Sequence, residues 1–318
     1  MWEEVGKDIF TSKNDPQDLR LGDLIKHLKN RNDLPDNPEN AVVILGYPDD
    51  EGIQLNGGRP GAALGPQGIR RILYKMTPSL KHAQNLPQVF DLGNLKKEGA
   101  LERRHEKARE EVTEILSKGL RVLTLGGGHD YGFPDMAAFC DVTLKNGKRP
   151  FIVNFDAHLD VRPDGKGPHS GTPFYRLLKE FSGRMDFFDV GIQDWCNSRE
   201  HLRWAQEHGA QIISLEEILQ CGKTLEEFLS QKILSQMTRG HRLAISVDID
   251  GFESSSAPGA SQVFPVGLNA TLFLNFWKMA LIRYRPSLAG FYEVSPPLDQ
   301  DDRTSRLAAI LLHQFIHT

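Results

Sequence analysis

The chain has 318 residues, with 38 Lys+Arg against 42 Asp+Glu, a formal net charge of −4 and a pI near 6.3. Length alone suggests about two domains, although single α/β domains of this size are common. The charge balance offers nothing fitted to follow a phosphate backbone or an anionic membrane, so neither nucleic acid nor membrane is an expected partner. Cys140, Cys196 and Cys221 lack CxxC spacing, and their odd number argues against a fully paired disulfide framework. The start Met1-Trp2-Glu3-Glu4 is acidic where a signal peptide would be basic, and no apolar run approaches the roughly 18 residues of a membrane span. A reducing, cytoplasmic setting is expected.

Residues 1–40 read as an N-terminal extension, with an amphipathic segment around Leu19 to Leu28 and a polar connector from Lys29 to Asn40. Short apolar runs then recur at Ala41 to Leu45, Val89 to Leu92, Val122 to Leu125, Phe151 to Phe155, Phe187 to Val190, Gln211 to Leu215, Leu243 to Val247 and Leu288 to Val294. Their continuous apolarity, without alternation, is that of parallel strands buried on both faces. Helical patterns lie between them; Leu101, Ala108, Val112, Ile115 and Leu116 repeat at helical spacing, with Gly119 placed to stop the helix. Strand–helix alternation without a repeat or compositional break predicts one doubly wound α/β domain over residues 41–318.

In an open α/β sheet the ligand crevice lies beyond the carboxyl ends of the strands. Three of those ends run into Gly126-Gly127-Gly128-His129-Asp130, Asp156-Ala157-His158-Leu159-Asp160 and Asp248-Ile249-Asp250. Side chains in extended backbone alternate, so Asp156, His158 and Asp160 can face one way, as can Asp248 and Asp250. An isolated motif of this kind is more often a solvent-facing strand edge. Here the acids continue buried strands with no accompanying Lys or Arg cluster, and stacking them without counter-cations would cost several kcal/mol per ion. Two divalent cations balance four carboxylates. Carboxylates with imidazoles favour Mn²⁺, with Ni²⁺, Co²⁺ and Zn²⁺ as competitors, and such a pair makes hydroxide from water for hydrolysis. Other motifs fail: Tyr131 stands where a dinucleotide fingerprint needs glycine, Gly57-Gly58-Arg59-Pro60-Gly61 lacks a phosphate loop's GK[ST], and no GxSxG is present.

Taken together, GGGHD at 126–130, DAHLD at 156–160, SVDID at 246–250 and YEVSPPLD at 292–299 closely resemble the ureohydrolase (arginase/agmatinase/formimidoylglutamase) superfamily over roughly residues 41–310. The resemblance implies a three-layer α/β/α sandwich with a parallel eight-stranded sheet. It implies one Mn²⁺ held by His129, Asp156, Asp160 and Asp248 and another by Asp156, His158, Asp248 and Asp250, with Asp156 and Asp248 bridging. His169 in PHSGTPF resembles a loop histidine that passes protons to the leaving amine, and Glu293 the carboxylate that clamps a planar amidine or guanidine.

DAHLDVR, HSGTPF and NGGRPGAALGPQGIR resemble the formimidoylglutamase branch most, and Arg59 or Arg162 could take a substrate carboxylate bidentately. The expected reaction is hydrolysis of N-formimidoyl-L-glutamate to L-glutamate and formamide in histidine breakdown. Metal-bridging hydroxide would attack, Asp250 would accept its proton, and His169 would assist release of the amine. A urea-releasing agmatinase or arginase is the alternative enzyme, and a catalytically silent metal- or ligand-binding homologue the alternative of another class. The resemblance also allows a homo-oligomer, although no apolar stripe marks an interface. One departure stands out: after Asp250 the family usually runs toward Asp-Pro, whereas here Gly251-Phe252-Glu253-Ser254 follows.

Overall fold

The computed structural model describes residues 2–6, 9, 11–35, 41–80 and 88–318. Part of the connector, residues 36–40, lies outside them. Each apolar run is a strand: β3 (Ala41–Gly46), β4 (Gln88–Leu95), β5 (Arg121–Leu125), β6 (Arg149–Phe155), β7 (Asp186–Ile192), β8 (Ala210–Ser214), β9 (His241–Asp248) and β10 (Leu288–Tyr292). These eight pair in parallel, in the order β4-β3-β5-β10-β9-β6-β7-β8.

The expected eight-stranded parallel sheet is corrected in extent and direction. Among the described residues it has ten strands and is mixed, because two dipeptides of the N-terminal segment pair with β4: β1 (Trp2–Glu3) antiparallel and β2 (Lys26–His27) parallel. The predicted amphipathic segment is correspondingly short, a single helical turn at α1 (Leu21–Leu24) leading into β2. Such short edge pairings carry too few residues for periodicity to reveal them.

Both faces of the sheet are covered, giving three layers. On one face Val42, Ile44, Phe155, Val247 and Phe291 pack with α3 (Gly65–Leu73), α10 (Ala270–Tyr284) and α11 (Arg303–Ile316) through Ile69, Phe273, Trp277 and Leu311. On the other, Val43, Leu45, Val122, Ile152 and Leu288 meet α4 (Leu101–Ser117), α5 (Gly132–Lys145) and α6 (Pro173–Phe181) through Val112, Phe139 and Leu177. Alternate strand residues thus enter opposite cores, which explains the uninterrupted apolar runs. Helix α4 buries the predicted Leu101, Ala108, Val112, Ile115 and Leu116, and the chain leaves it through Gly119 at φ 78°, a left-handed conformation natural to glycine. No helix of the described residues is long and apolar enough to cross a membrane.

The order of the central strands positions everything that follows. The motif-bearing β5, β6, β9 and β10 are neighbours in space, as β5-β10-β9-β6. Leu125, Phe291, Val247 and Phe155 form one row across them. The next residue on each strand therefore begins a common rim, where Asp156 and Asp248 emerge side by side.

Candidate metal centre and cleft

Five ligand-type side chains begin at that rim, and His129 reaches it from the loop after β5. They form two groups that share Asp156: His129, Asp156, Asp160 and Asp248, and Asp156, His158 and Asp250. Asp248 falls in the first group alone, since its Oδ2 lies 3.1 Å from His129 Nδ1 while its Oδ1 accepts the backbone N–H of Asp250 at 2.9 Å. In the second group His158 Nδ1 is 3.5 Å from Asp156 Oδ1 and 3.2 Å from Asp250 Oδ2.

The first group converges on a point rather than on a hydrogen bond. His129 Nδ1 lies 3.0 Å from oxygens of both Asp156 and Asp160, yet this fully buried nitrogen makes no hydrogen bond, because none of those oxygens lies along its N–H direction. Its other nitrogen is engaged: Nε2 meets Ser246 Oγ at 3.0 Å, which, with Nε2 as donor, leaves the Nδ1 lone pair for a cation. The ring is clamped between Tyr292, stacked at 4.9 Å, and Phe174, edge-on at 5.2 Å. Asp250 Oδ1 is likewise buried without a partner. Carboxylate and imidazole atoms gathered in this way fit two divalent ions.

Electrostatics agree. Burial, followed by the charges of Asp250 and Asp156, pushes the Asp248 carboxyl far above the usual range. Burial and then Asp156 push Asp160 up to about 6. Burial raises Asp250 as well, against the pull of His158. Only Asp156 is held low; burial opposes its ionisation, but the His129 and His158 rings beside it favour the charged form. The protein's own cations do not balance these acids: among the described residues, the ion-pair partners of the ligand carboxylates are the two ligand histidines. Bound cations would.

Two of the six described non-glycine residues with positive φ stand here. Asp160 and Glu293 both adopt left-handed conformations, at φ 49° and 64°, which cost non-glycine residues free energy that their surroundings must offset. For Glu293 the surroundings are explicit: its N–H donates to Gly127 O at 2.8 Å and its Oε1 accepts the His129 N–H at 3.0 Å. Burial, then the charge of Asp248, raises its carboxyl well above the ordinary value.

A cleft of about 410 Å³ opens over the centre, lined by His158, Asp160, Asp248, Asp250 and Glu293 and, further out, by Asn56, Arg162, Asn197, His201 and Phe264. The other predicted residues divide. Arg162 lines the cleft, exposed, with one long contact from Nη1 to Asn56 Oδ1 at 3.4 Å. Arg59 is not among the lining residues. Its Nε and Nη2 donate to the carbonyls of Ser261 and Ala260 at 2.9 and 3.0 Å, so the fork fastens the Gly/Pro turn to a neighbouring loop.

His169 is also outside the cleft lining; it borders an adjoining hollow, next to cleft-lining Ser170. Its Nδ1 accepts the Gly171 N–H at 3.2 Å, and burial followed by Arg162 lowers its pKa. Glu253, in the departing segment, turns away to accept from Asn269 Nδ2 at 3.1 Å. That departure therefore lies outside the cleft.

Asp130, beside the ligand His129, is not in either group; it faces His105 Nε2 at 2.7 Å, whose Nδ1 meets Arg176 at 3.2 Å. Sequence reasoning missed several neighbours of the site. Asn197 and His201 follow the end of β7, and the carboxyl-end rule could have found them. Ser246 stands two residues before Asp248 and hence on its face of β9. Phe264 and the paired residues of Asp130 carry no local signal, being brought in by packing.

The arginase family model matches residues 40–317. Formimidoylglutamase of Corynebacterium efficiens is 31% identical over 281 residues, covering 88% of this chain and 85% of that protein. Formimidoylglutamase of Streptococcus gordonii is 31% identical, covering 84% and 81%. Among solved structures, Trypanosoma cruzi formiminoglutamase with Mn²⁺ superposes with a TM-score of 0.78 at 28% identity, over 94% of this chain and 97% of that one. Formimidoylglutamase of Bacillus subtilis gives 0.83 at 26%, over 99% and 94%.

Proposed function

The chain belongs to the arginase family, hydrolases of linear amidine and guanidino C–N bonds, and within it we propose that it is a dimanganese formimidoylglutamase, releasing L-glutamate and formamide from N-formimidoyl-L-glutamate. The observation that carries this reading is the convergence of six ligand side chains at the rim of an acid-lined cleft whose outer wall carries Arg162. The similarity to formimidoylglutamases supports the branch.

His129, Asp156, Asp160 and Asp248 would hold one ion, and Asp156, His158 and Asp250 the other, with Asp248 serving both as the family resemblance implies. Two such ions, when bound, supply a hydroxide nucleophile at neutral pH. Glu293 offers its carboxylate to the planar amidine nitrogens, oriented by the His129 N–H. Asp250, with an unpartnered buried oxygen, is placed to take the proton released as oxygen adds to the amidine carbon. His169, its Nδ1 held by Gly171, would return a proton through Nε2 to the departing amine. Arg162 meets a substrate carboxylate.

A product assay across N-formimidoyl-L-glutamate, agmatine and arginine, after reconstitution with Mn²⁺, tests the reading. Formamide from the first substrate at the highest kcat/KM is expected. Urea from either guanidino compound as the main product would replace it with the other branch, and no turnover with both metal sites filled would make the chain a silent binder.

A further inference from the structure

Arg162 and Asn56 wall two cavities. Besides the cleft, a hollow of about 620 Å³ lies between Leu55, at the end of α2 (Glu51–Leu55), and the loop 162–169. Arg162, Lys166 and His169 line it, and no carboxylate does. The cleft next door is lined by Asp160, Asp248, Asp250 and Glu293. Two adjoining spaces thus carry opposite charge.

The loop is built to hold that arrangement. Its base is closed by Arg162 N–H to Gly171 O at 2.8 Å, and its far end by Thr172 N–H to His169 O at 2.9 Å. The loop's one acid, Asp164, is drawn toward Arg176, with Oδ2 3.9 Å from Nε. Glu102 reaches the outside of the hollow's wall at Gly167 but is not itself among its lining residues. Among the described residues, exposed Lys166 has no ion-pair partner, and the Arg162 side chain has one hydrogen bond, its long contact to Asn56. Both cations are therefore available to a ligand that bridges the two spaces. The substrate proposed above has that polarity, with a cationic amidine at one end, one carboxylate on the carbon that bears it and a second carboxylate at the far end.

We propose that this hollow is a carboxylate subsite in which Lys166, with Arg162, receives the acidic tail of the substrate while the amidine lies among the cleft acids. Lys166 is then a specificity residue that selects anionic over cationic amidines. The inference rests on the proposed function for its substrate, but not for its ligand chemistry, which is that of a mono- or dicarboxylate. Point charges at such a mouth also steer association, so the effect must weaken with salt.

The test compares wild type with Lys166→Gln, Lys166→Glu and Lys166→Arg, all at an exposed position that should leave folding intact. On N-formimidoyl-L-glutamate, Lys166→Gln should raise KM about tenfold and Lys166→Glu further, with kcat held, a shallower dependence of kcat/KM on ionic strength, and rescue by Lys166→Arg. A calorimetric titration of the Mn²⁺-loaded protein with L-glutamate reads the subsite without turnover, and binding should be lost in Lys166→Glu. If wild type cleaves the acidic amidine and neither KM nor L-glutamate affinity moves, the subsite is overturned and the functional reading stands. If wild type cleaves only guanidino cations, that reading fails. The titration then decides alone: L-glutamate bound by wild type and lost in Lys166→Glu upholds the subsite, and any other result overturns it.

Discussion

Two buried sets of charges in this protein look alike in composition and differ in closure. Beside β4, Arg70 is fully buried with Asp91: Nε and Nη2 bind the two carboxylate oxygens at 2.8 and 3.0 Å, while Asn94 and the Gly93 carbonyl take its other donors. Tyr74 and the Gly93 N–H complete Asp91. Neither side chain retains an unpartnered buried atom among the described residues. At the rim of β5, β6, β9 and β10, four aspartates face two histidines, and both His129 Nδ1 and Asp250 Oδ1 are left without hydrogen bonds. Burial of charge alone is thus no sign of function. A closed set locks the fold, whereas an open set of converging ligand atoms calls for cations.

The sharpest way to break the comparison is to treat the two sets identically. Asp156→Asn, removing the ligand shared by both metal groups, should lower kcat at least ~10³-fold, about 4 kcal/mol of barrier, with metal content per chain falling by elemental analysis. Retained activity would remove the binuclear reading. Arg70→Met should do the reverse. Leaving Asp91 buried and unpaired should cost roughly 3–5 kcal/mol in denaturant unfolding, while the folded fraction keeps its metals and kcat.

The smallest effect is one of pH, and it compares the open set with a third buried acid, Asp135, closed by its own hydrogen bonds. Asp160, and also Asp135, whose burial outweighs hydrogen bonds from Thr124, Tyr292 and Tyr47, are both raised to about 6 in the fold, above an unfolded value near 4. Between those values the metal-free fold binds more protons than the unfolded chain. Its stability should therefore be greatest near pH 4 with respect to these groups and fall as pH rises through 6. Mn²⁺ favours the ionised Asp160 and should flatten that part of the slope, leaving the contribution of Asp135. A slope unchanged by Mn²⁺ in thermal melts would place Asp160 outside the metal centre.

Much of this was legible in the residues. The eight long strands announce themselves because burial on both faces demands continuous apolar runs, and the chemistry sits at their carboxyl ends because side chains leaving a buried strand meet solvent there. His158 and the aspartates could be picked from their i, i+2 spacing at strand ends, but only Asp248 lies within a strand. Asp160 stands at φ 49° and Asp250 in a 3-10 turn, so the turns beyond β6 and β9 rather than strand alternation bring them together. Arg59 could not be judged in this way. Its guanidinium suits a carboxylate as well as a pair of backbone carbonyls, and only the approach of Ser261 and Ala260 decides which it meets. The same holds for Asp130, whose partner His105 comes from a helix 25 residues earlier.

Sequence by itself therefore determined the eight long strands and the ligand types at their ends, because period, burial and donor chemistry are properties of short segments. Tertiary structure alone decided that strands met in the order five, six, nine and ten along the chain stand as five, ten, nine and six in the sheet. Strand order depends on how distant segments close and pack, which no local pattern encodes. That ordering turns three separate motifs into one metal centre and sets a cationic hollow beside an acidic cleft.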